Sequence, residues 1–345
     1  MPDYPNWGTG GHKYHTILFE YFKRKSSLIY SFGHNKYSYY SERNKFLKII
    51  TGIYYSFKIP ENSVLIMTNA SFLNYFFPVL INKKRKNHFY FLIIHHLSND
   101  EKPGFLRNKL ENFFIRNSDM IVTVSAATRE KLYNMNTGQE KIEIFNPGLE
   151  IHSEKISGKK TIPGKLKLLF VGLIEERKGI LYLLEALKLI SSDDFELNII
   201  GEVLNSNQYY DLLQKKISEY NLEGKVFFRG KVSKNELEDY YLNSSVFVFP
   251  TLWEGYGMVV SEAMSYGLPV IASRIPAIEE LIDDGVNGIL VEPKNAVQIS
   301  EKIRLLNSDH SLMEKLSENA VKKSQSFPTW DETCEGIYNL VRKIN

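Results

Sequence analysis

The sequence predicts two α/β domains, each built on a doubly wound parallel sheet, and three observations carry that expectation. Short, uniformly apolar runs alternate with longer amphipathic stretches along the chain, the pattern of parallel strands covered by helices on both faces. At 345 residues the chain is long enough for about two ordinary domains. The apolar runs also fall into two sets, separated by HSEKISGKKTIPGK (152–165), whose Ser, Gly, Lys and Pro suit an exposed linker. Each half is too short for an α/β barrel, and the alternation within each half argues against an α+β arrangement.

Taken in order, the strands expected in the first half are LIYSF (28–32), SVLIMT (63–68), FYFLII (89–94), MIVTVS (120–125) and KIEIF (141–145). Ser125 is placed to cap the helix that follows its strand, and NPG (146–148) reads as a turn before the linker. The second half offers LKLLFVG (166–172), FELNIIG (195–201), KVFFRG (225–230), SVFVFP (245–250), PVIAS (269–273) and GILVE (288–292). Between them lie helical patterns such as GILYLLEALKLI (179–190), with Leu184, Leu187 and Ile190 on one face, and KNELEDYYLNS (234–244). The expected domains are residues 1–150 and 151–329, joined near 149–165. The final helix, around WDETCEGIYNLVRK (330–343), is expected to return to the N-terminal domain.

Composition narrows the function classes. Hydrophobic residues at 43% and charged residues at 24% are the balance of a soluble globular protein. One cysteine, Cys334, excludes an intramolecular disulfide and fits a reducing compartment. MPDYPNWGTGG lacks the basic start and apolar centre of a signal peptide, and no apolar run approaches the roughly 20 residues of a membrane span. These features read as a cytoplasmic protein. Residues 1–150 carry 20 Lys+Arg against 12 Asp+Glu, whereas the remainder carries 23 against 28. The basic patches KRK (23–25), KKRK (83–86) and RNKLENFFIR (107–116) read either as a solvated face or as a dock for an anionic membrane surface. In the second reading YHTILFEYFKRK (14–25) and NKFLKIITGIYYSFK (44–58) would lie at the inner face of the membrane. Nucleic acid is excluded as a partner by the small total charge and the lack of a recognition module. No four-ligand metal spacing is present, and no strand is followed by the G-x-G-x-x-G of dinucleotide binding.

The stretch that carries chemistry is PTLWEGYGMVVSEAMSYGLPVIAS (250–273). It follows a strand, and ligands of open parallel sheets sit beyond the carboxyl ends of strands. The backbone amides of Gly257, Met258 and Val259 would open a helix whose start favours a phosphate. Glu254 in the loop and Glu262 about a turn into the helix are acceptors for hydroxyls, which sugars and ribose present in pairs. The plain alternative is a turn followed by a surface helix with solvated glutamates.

E-G-Y-G-M-V-V-S-E followed by A-M-S-Y-G-L-P-V-I-A-S resembles the E-x7-E signature of glycosyltransferase family 4, retaining enzymes of the two-domain GT-B fold. FVGLIEERKGILYLLEAL (170–187), FFRGKVSKNELEDYYLNSSVFVFPT (227–251) and EELIDDGVNGILVEP (279–293) are similar to the family segments around it, in the family's order. The resemblance implies two Rossmann-like domains facing a cleft and transfer of a sugar from a nucleotide-diphosphate donor to a glycan or lipid-linked acceptor. It implies no cofactor and no metal. Glu254 would contact the transferred sugar, and Gly255, Gly257, Met258 and Val259 the sugar and diphosphate. Glu262 would take the ribose. Lys178, after Gly172, would neutralise the leaving diphosphate; a cation at a helix start is otherwise unfavourable. The base would lie against Gly230, Lys231 and Val232. Many members carry an arginine directly after the glycine of this segment; here that position is Leu173, with Arg177 nearby.

The N-terminal half is less similar. Gly10 and Gly11 in WGTGGHKYH resemble the family's glycine pair, whose amides face the diphosphate. Only nine residues precede Gly10, none strand-like, so the first strand of this domain is expected to be missing or to lie upstream. In IIHHLSND (93–100) the resemblance implies a histidine near sugar and acceptor; alternation along a strand points one of His95 and His96 to the site, without deciding which.

Overall fold

The computed structural model describes residues 10–25, 53–54, 56–57, 59, 61–68, 72–82, 88–97, 104–135, 137–150, 165–190, 192–203 and 207–343. The expected strand 28–32, the KKRK patch, most of 44–58 and the linker 152–164 lie outside them. The chain divides into two compact units. One is Met1–Lys13 with Pro147–Trp330, the other Tyr14–Asn146 with Asp331–Asn345.

The second unit carries a four-stranded parallel sheet among the described residues. Its strands are β1 (Val64–Thr68), β2 (Phe89–Ile94), β3 (Met120–Thr123) and β4 (Ile142–Ile144), paired in sequence order. Helices α1 (Gly10–Lys25), α2 (Phe72–Asn82), α3 (Phe105–Asn117) and α4 (Ala126–Tyr133) accompany them. β2 and β3 are buried along nearly their whole length, and Leu92, Ile94, Ile121 and Met67 pack with Phe114, Val79 and Leu132 in one core. Ser125 caps α4 by accepting the Thr128 amide at 3.1 Å, as its position predicts.

Among the described residues the first unit carries a six-stranded sheet of β5 (Leu166–Val171), β6 (Phe195–Ile200), β7 (Val226–Gly230), β8 (Val246–Phe249), β9 (Val270–Ser273) and β10 (Ile289–Val291). Its order is β10-β9-β8-β5-β6-β7, all parallel. The chain proceeds outward from β5 through β6 to β7, then returns to place β8 on the other side of β5. The strand order therefore reverses between β5 and β8, and the crevice at their carboxyl ends is where such sheets bind ligands. Helices α5 (Ile180–Leu189), α6 (Asn207–Glu219), α7 (Lys234–Asn243) and α8 (Met258–Ser265) follow β5 to β8 in turn, and α9 (Pro276–Glu279) follows β9. After β10 come α10 (Ala296–Ser308), α11 (His310–Ser324) and α12 (Trp330–Arg342). β8 and β9 are fully buried, which explains their unbroken apolar runs.

Near the N-terminus the two units divide the chain differently from the expected domains. Residues 1–150 do not form one unit, because the first turn of α1 groups with the other half of the chain. The physical reason is local to that unit: Lys13 Nζ stands 2.8 Å from Glu262 Oε1, and the Gly10 backbone lies against the Met258 side chain. Within the second unit, α12 returns to the β4 end. Thr333 donates to Asn146 O at 2.9 Å, and Gly336 is so close to the Phe145 ring that a Cβ would meet it at 2.5 Å.

Candidate active site

Two loops meet at the reversal point, one from β5 and one from β8. The β5 loop runs from Gly172 to a short 3₁₀ turn, Glu176–Lys178, that ends on Gly179 in the left-handed region at φ 70°. A side chain at Gly179 would also place Cβ 1.9 Å from Pro250 O, so glycine is demanded twice over. That contact lets the loops lace together: Leu252 N–H donates to Arg177 O at 2.7 Å, and Thr251 Oγ1 lies 3.2 Å from the same oxygen.

The lacing brings charge together. Glu254 Oε1 accepts from Lys178 Nζ at 2.5 Å, from Thr251 Oγ1 at 3.0 Å and from Arg177 Nη1 at 3.2 Å. Burial opposes the charge on Glu254, but the Lys178 and Arg177 cations outweigh it and hold the carboxyl below the ordinary glutamate range. Burial is also the largest influence on Lys178 and pulls it below the ordinary lysine value, with Glu254 opposing. Arg177 reaches Glu175 at 2.6 Å and lies 4.4 Å over the Trp253 ring, so its guanidinium is fixed on two sides. Lys178 itself lies 5.0 Å over Phe249.

The β8 loop continues through Gly255 and Tyr256 to Gly257, which adopts φ 97° and opens α8 with no side-chain cap. The first intrahelical bond is from Val260 N–H to Gly257 O at 2.8 Å. The Met258 and Val259 amides precede it, the arrangement that draws an anion to a helix start. One turn on, Glu262 Oε1 accepts from Lys13 at 2.8 Å and Oε2 from the Tyr241 hydroxyl at 3.3 Å. Burial, then Glu262, push the Tyr241 phenol well above its ordinary value, so it stays protonated as a donor. Tyr241 is held by stacking on Tyr266, 5.0 Å between centroids.

The structure therefore brings Lys178, Glu254, Gly255, Gly257, Met258, Val259 and Glu262 onto one edge of the sheet. Gly10 joins them: a Cβ there would stand 3.0 Å from Met258 Sδ, and Gly11 follows it in the first turn of α1. Gly172 lies against Lys178, where a Cβ would stand 3.8 Å from Lys178 Cε. The carboxyl ends of β5, β6 and β7 are tied by Gly172 N–H to Ile200 O and Gly201 N–H to Gly230 O, both 2.9 Å. Gly230 and Lys231 are exposed and Val232 half-buried at that rim, with Lys231 3.3 Å from Glu202. His95 and His96 belong to the other unit, both half-buried after β2. There His95 Nε2 is 2.7 Å from His15 Nε2, and its ring meets Tyr14 edge-on at 5.0 Å. Thr251, Lys13, Tyr241 and His15 escaped the sequence reading. Only Thr251, at the end of a strand and three residues before Glu254, left a usable signal.

Residues 152–323 match the family model of glycosyl transferases group 1. This segment is a glycosyl transferases group 1 domain. A glycosyltransferase of Methanocaldococcus jannaschii is 30% identical over 238 residues, 65% of this chain and 60% of that protein. The capsular polysaccharide biosynthesis glycosyltransferase CapM of Staphylococcus aureus is 30% identical over 240 residues, 65% of this chain and 59% of that protein. The chain's matching region spans about half to three fifths of the curated relatives' length. Among solved structures, sucrose-phosphate synthase from Thermosynechococcus elongatus superposes with a TM-score of 0.72 at 20% identity, covering 92% of this chain and 81% of that one. Anabaena HepE in complex with UDP and glucose gives 0.70 at 17% identity, covering 80% and 77%. The fold is that of the GT-B glycosyltransferases.

Proposed function

We propose that the chain is a retaining glycosyltransferase of family 4. It moves a hexose from a nucleotide-diphosphate sugar to a glycan or lipid-linked acceptor in cell-surface polysaccharide or glycolipid synthesis. The observation that carries this reading is the Lys178–Glu254 pair at the strand reversal, beside the uncapped start of α8. CapM and the UDP complex of HepE support the acceptor class and the donor class.

In this reading the diphosphate lies at the Met258 and Val259 amides, Lys178 offsets its growing charge as the glycosidic bond breaks, and Glu254 positions the sugar. The acceptor hydroxyl attacks on the face the diphosphate leaves, and its proton passes to the leaving phosphate. No protein nucleophile is used, and the reaction needs neither metal nor cofactor. Glu262 accepts the ribose hydroxyls, Gly230, Lys231 and Val232 border the base, and Gly10 and Gly11 approach the phosphates. A thermal-shift screen of nucleotide sugars tests the donor class, because a bound donor raises Tm by mass action. The anomeric configuration of the product, read by NMR, then tests retention: an inverted product would refute it.

A second reading, a non-catalytic GT-B scaffold subunit, draws on Leu173 replacing the family's arginine. Retained nucleotide affinity without transfer to any acceptor would favour it. We also propose that the basic half docks on an anionic membrane. Phe105 and Leu106, 75% and 69% exposed, open α3 beside Arg107 and Lys109. Sedimentation with phosphatidylglycerol vesicles but not phosphatidylcholine vesicles is the expected result.

A further inference from the structure

Lys13 stands on the carboxylate that the proposed function gives to the ribose. Its Nζ is 2.8 Å from Glu262 Oε1, while Tyr241 occupies Oε2. Both Glu262 oxygens therefore already hold a donor, and a ribose diol has to displace or share one of them. The Tyr241 hydroxyl is fixed by a buried ring stacked on Tyr266. Lys13, by contrast, is a flexible stem whose side chain is 27% exposed, and it is the donor that can move.

The direction of that movement follows from the helices. Gly10 lies against Met258 at the start of α8, and Lys13 lies against Glu262, one turn further on. The contacts advance in the same sense along both helices, three residues on α1 and four on α8. One helical turn rises about 5.4 Å, within the sweep of a lysine side chain. The ammonium on Glu262 can thus swing back to a phosphate held at the Met258 and Val259 amides. The site has use for it there. Lys178 and Arg177 both converge on one oxygen of Glu254, and the second Arg177 nitrogen is held by Glu175, so those cations meet matching carboxylates.

We propose that Lys13 is a donor-binding cation handed from Glu262 to the diphosphate, which makes ribose binding conditional on the presence of phosphate. A nucleoside alone must strip Lys13 from Glu262 with nothing to receive it. A nucleoside diphosphate supplies the receiver. Lys13 in this way discriminates nucleotide-diphosphate donors from nucleosides and their monophosphates. The inference rests on the proposed function, and its failure can be told apart from failure of that reading.

Isothermal titration of the full chain with UDP, GDP and ADP, each beside its nucleoside, tests it in the wild type, Lys13→Met and Lys13→Arg. For the diphosphate that binds, Lys13→Met should lower its affinity while raising or preserving that of its nucleoside, shrinking the ratio between them by about tenfold. Its affinity should also depend less steeply on salt, and Lys13→Arg should restore most of the ratio. Equal weakening of both ligands by Lys13→Met would show that Lys13 merely orients Glu262 and would overturn the handover. Equal strengthening would make Lys13 a plain competitor and would overturn the handover as well. If no diphosphate binds the wild type, the donor reading itself falls.

Discussion

Glu254 takes three donors through one oxygen, and that makes its substitution more than the loss of the proposed sugar contact. Its side chain is 12% exposed and that of Lys178 9%, so removing one charge strands the other away from water. Glu254→Gln should abolish transfer and also destabilise the unit by about 3 kcal/mol, measured by urea unfolding. Lys178→Met combined with Glu254→Gln should recover part of that loss; strict additivity would show that the pair is not coupled. The pH dependence has opposite signs for stability and binding. Lys178 is held below its ordinary value of 10.5, so between the two values the unfolded chain binds more protons and stability rises with pH. Diphosphate affinity should fall across the same window, as the ammonium discharges. An alkaline limb beginning below pH 10.5 in the wild type, and absent in Lys178→Met, is the expected titration result.

At the scale of elements, the loops matter through their glycines. Gly179 and Gly230 both have positive φ, 70° and 66°, but their surroundings differ. A Cβ on Gly179 strikes Pro250 O, whereas around Gly230 there is open space. Gly230→Ala should cost about 1 kcal/mol, the penalty of the conformation alone. Gly179→Ala should cost more than about 4 kcal/mol, because the β5 and β8 loops can no longer close on each other. Comparing the two Tm values checks the contrast. Much of this was legible in the chain. Apolar runs marked the strands to within a residue or two, and Lys178 stood out as a cation at a helix start, where only an anion nearby makes it favourable. The partners of Glu262 were not legible. Lys13 lies 249 positions away and Tyr241 precedes β8 in the chain, 21 positions before Glu262, and no periodicity reports such contacts. His15 on His95 is hidden for the same reason, across 80 positions.

At the scale of the whole molecule, the single cysteine reports on integrity. Cys334 is buried on α12 and its thiol is pushed up to about 12, chiefly by burial. It should resist alkylation at pH 8 in the native protein and react once α12 detaches; rapid native reaction would mean that the helix is loosely held. Among the described residues no helix is long and apolar enough to cross a membrane. In the proposed function, one edge of the six-stranded sheet divides a nucleotide sugar between Glu254, the start of α8 and Glu262. Calorimetric titration of the wild type, Glu254→Gln and Glu262→Gln with a nucleoside diphosphate and with the matching nucleotide sugar tests this division. Glu262→Gln should weaken both ligands alike, by about tenfold or more, whereas Glu254→Gln should erase the preference for the sugar-bearing one. If both variants bind both ligands as the wild type does, the site lies elsewhere.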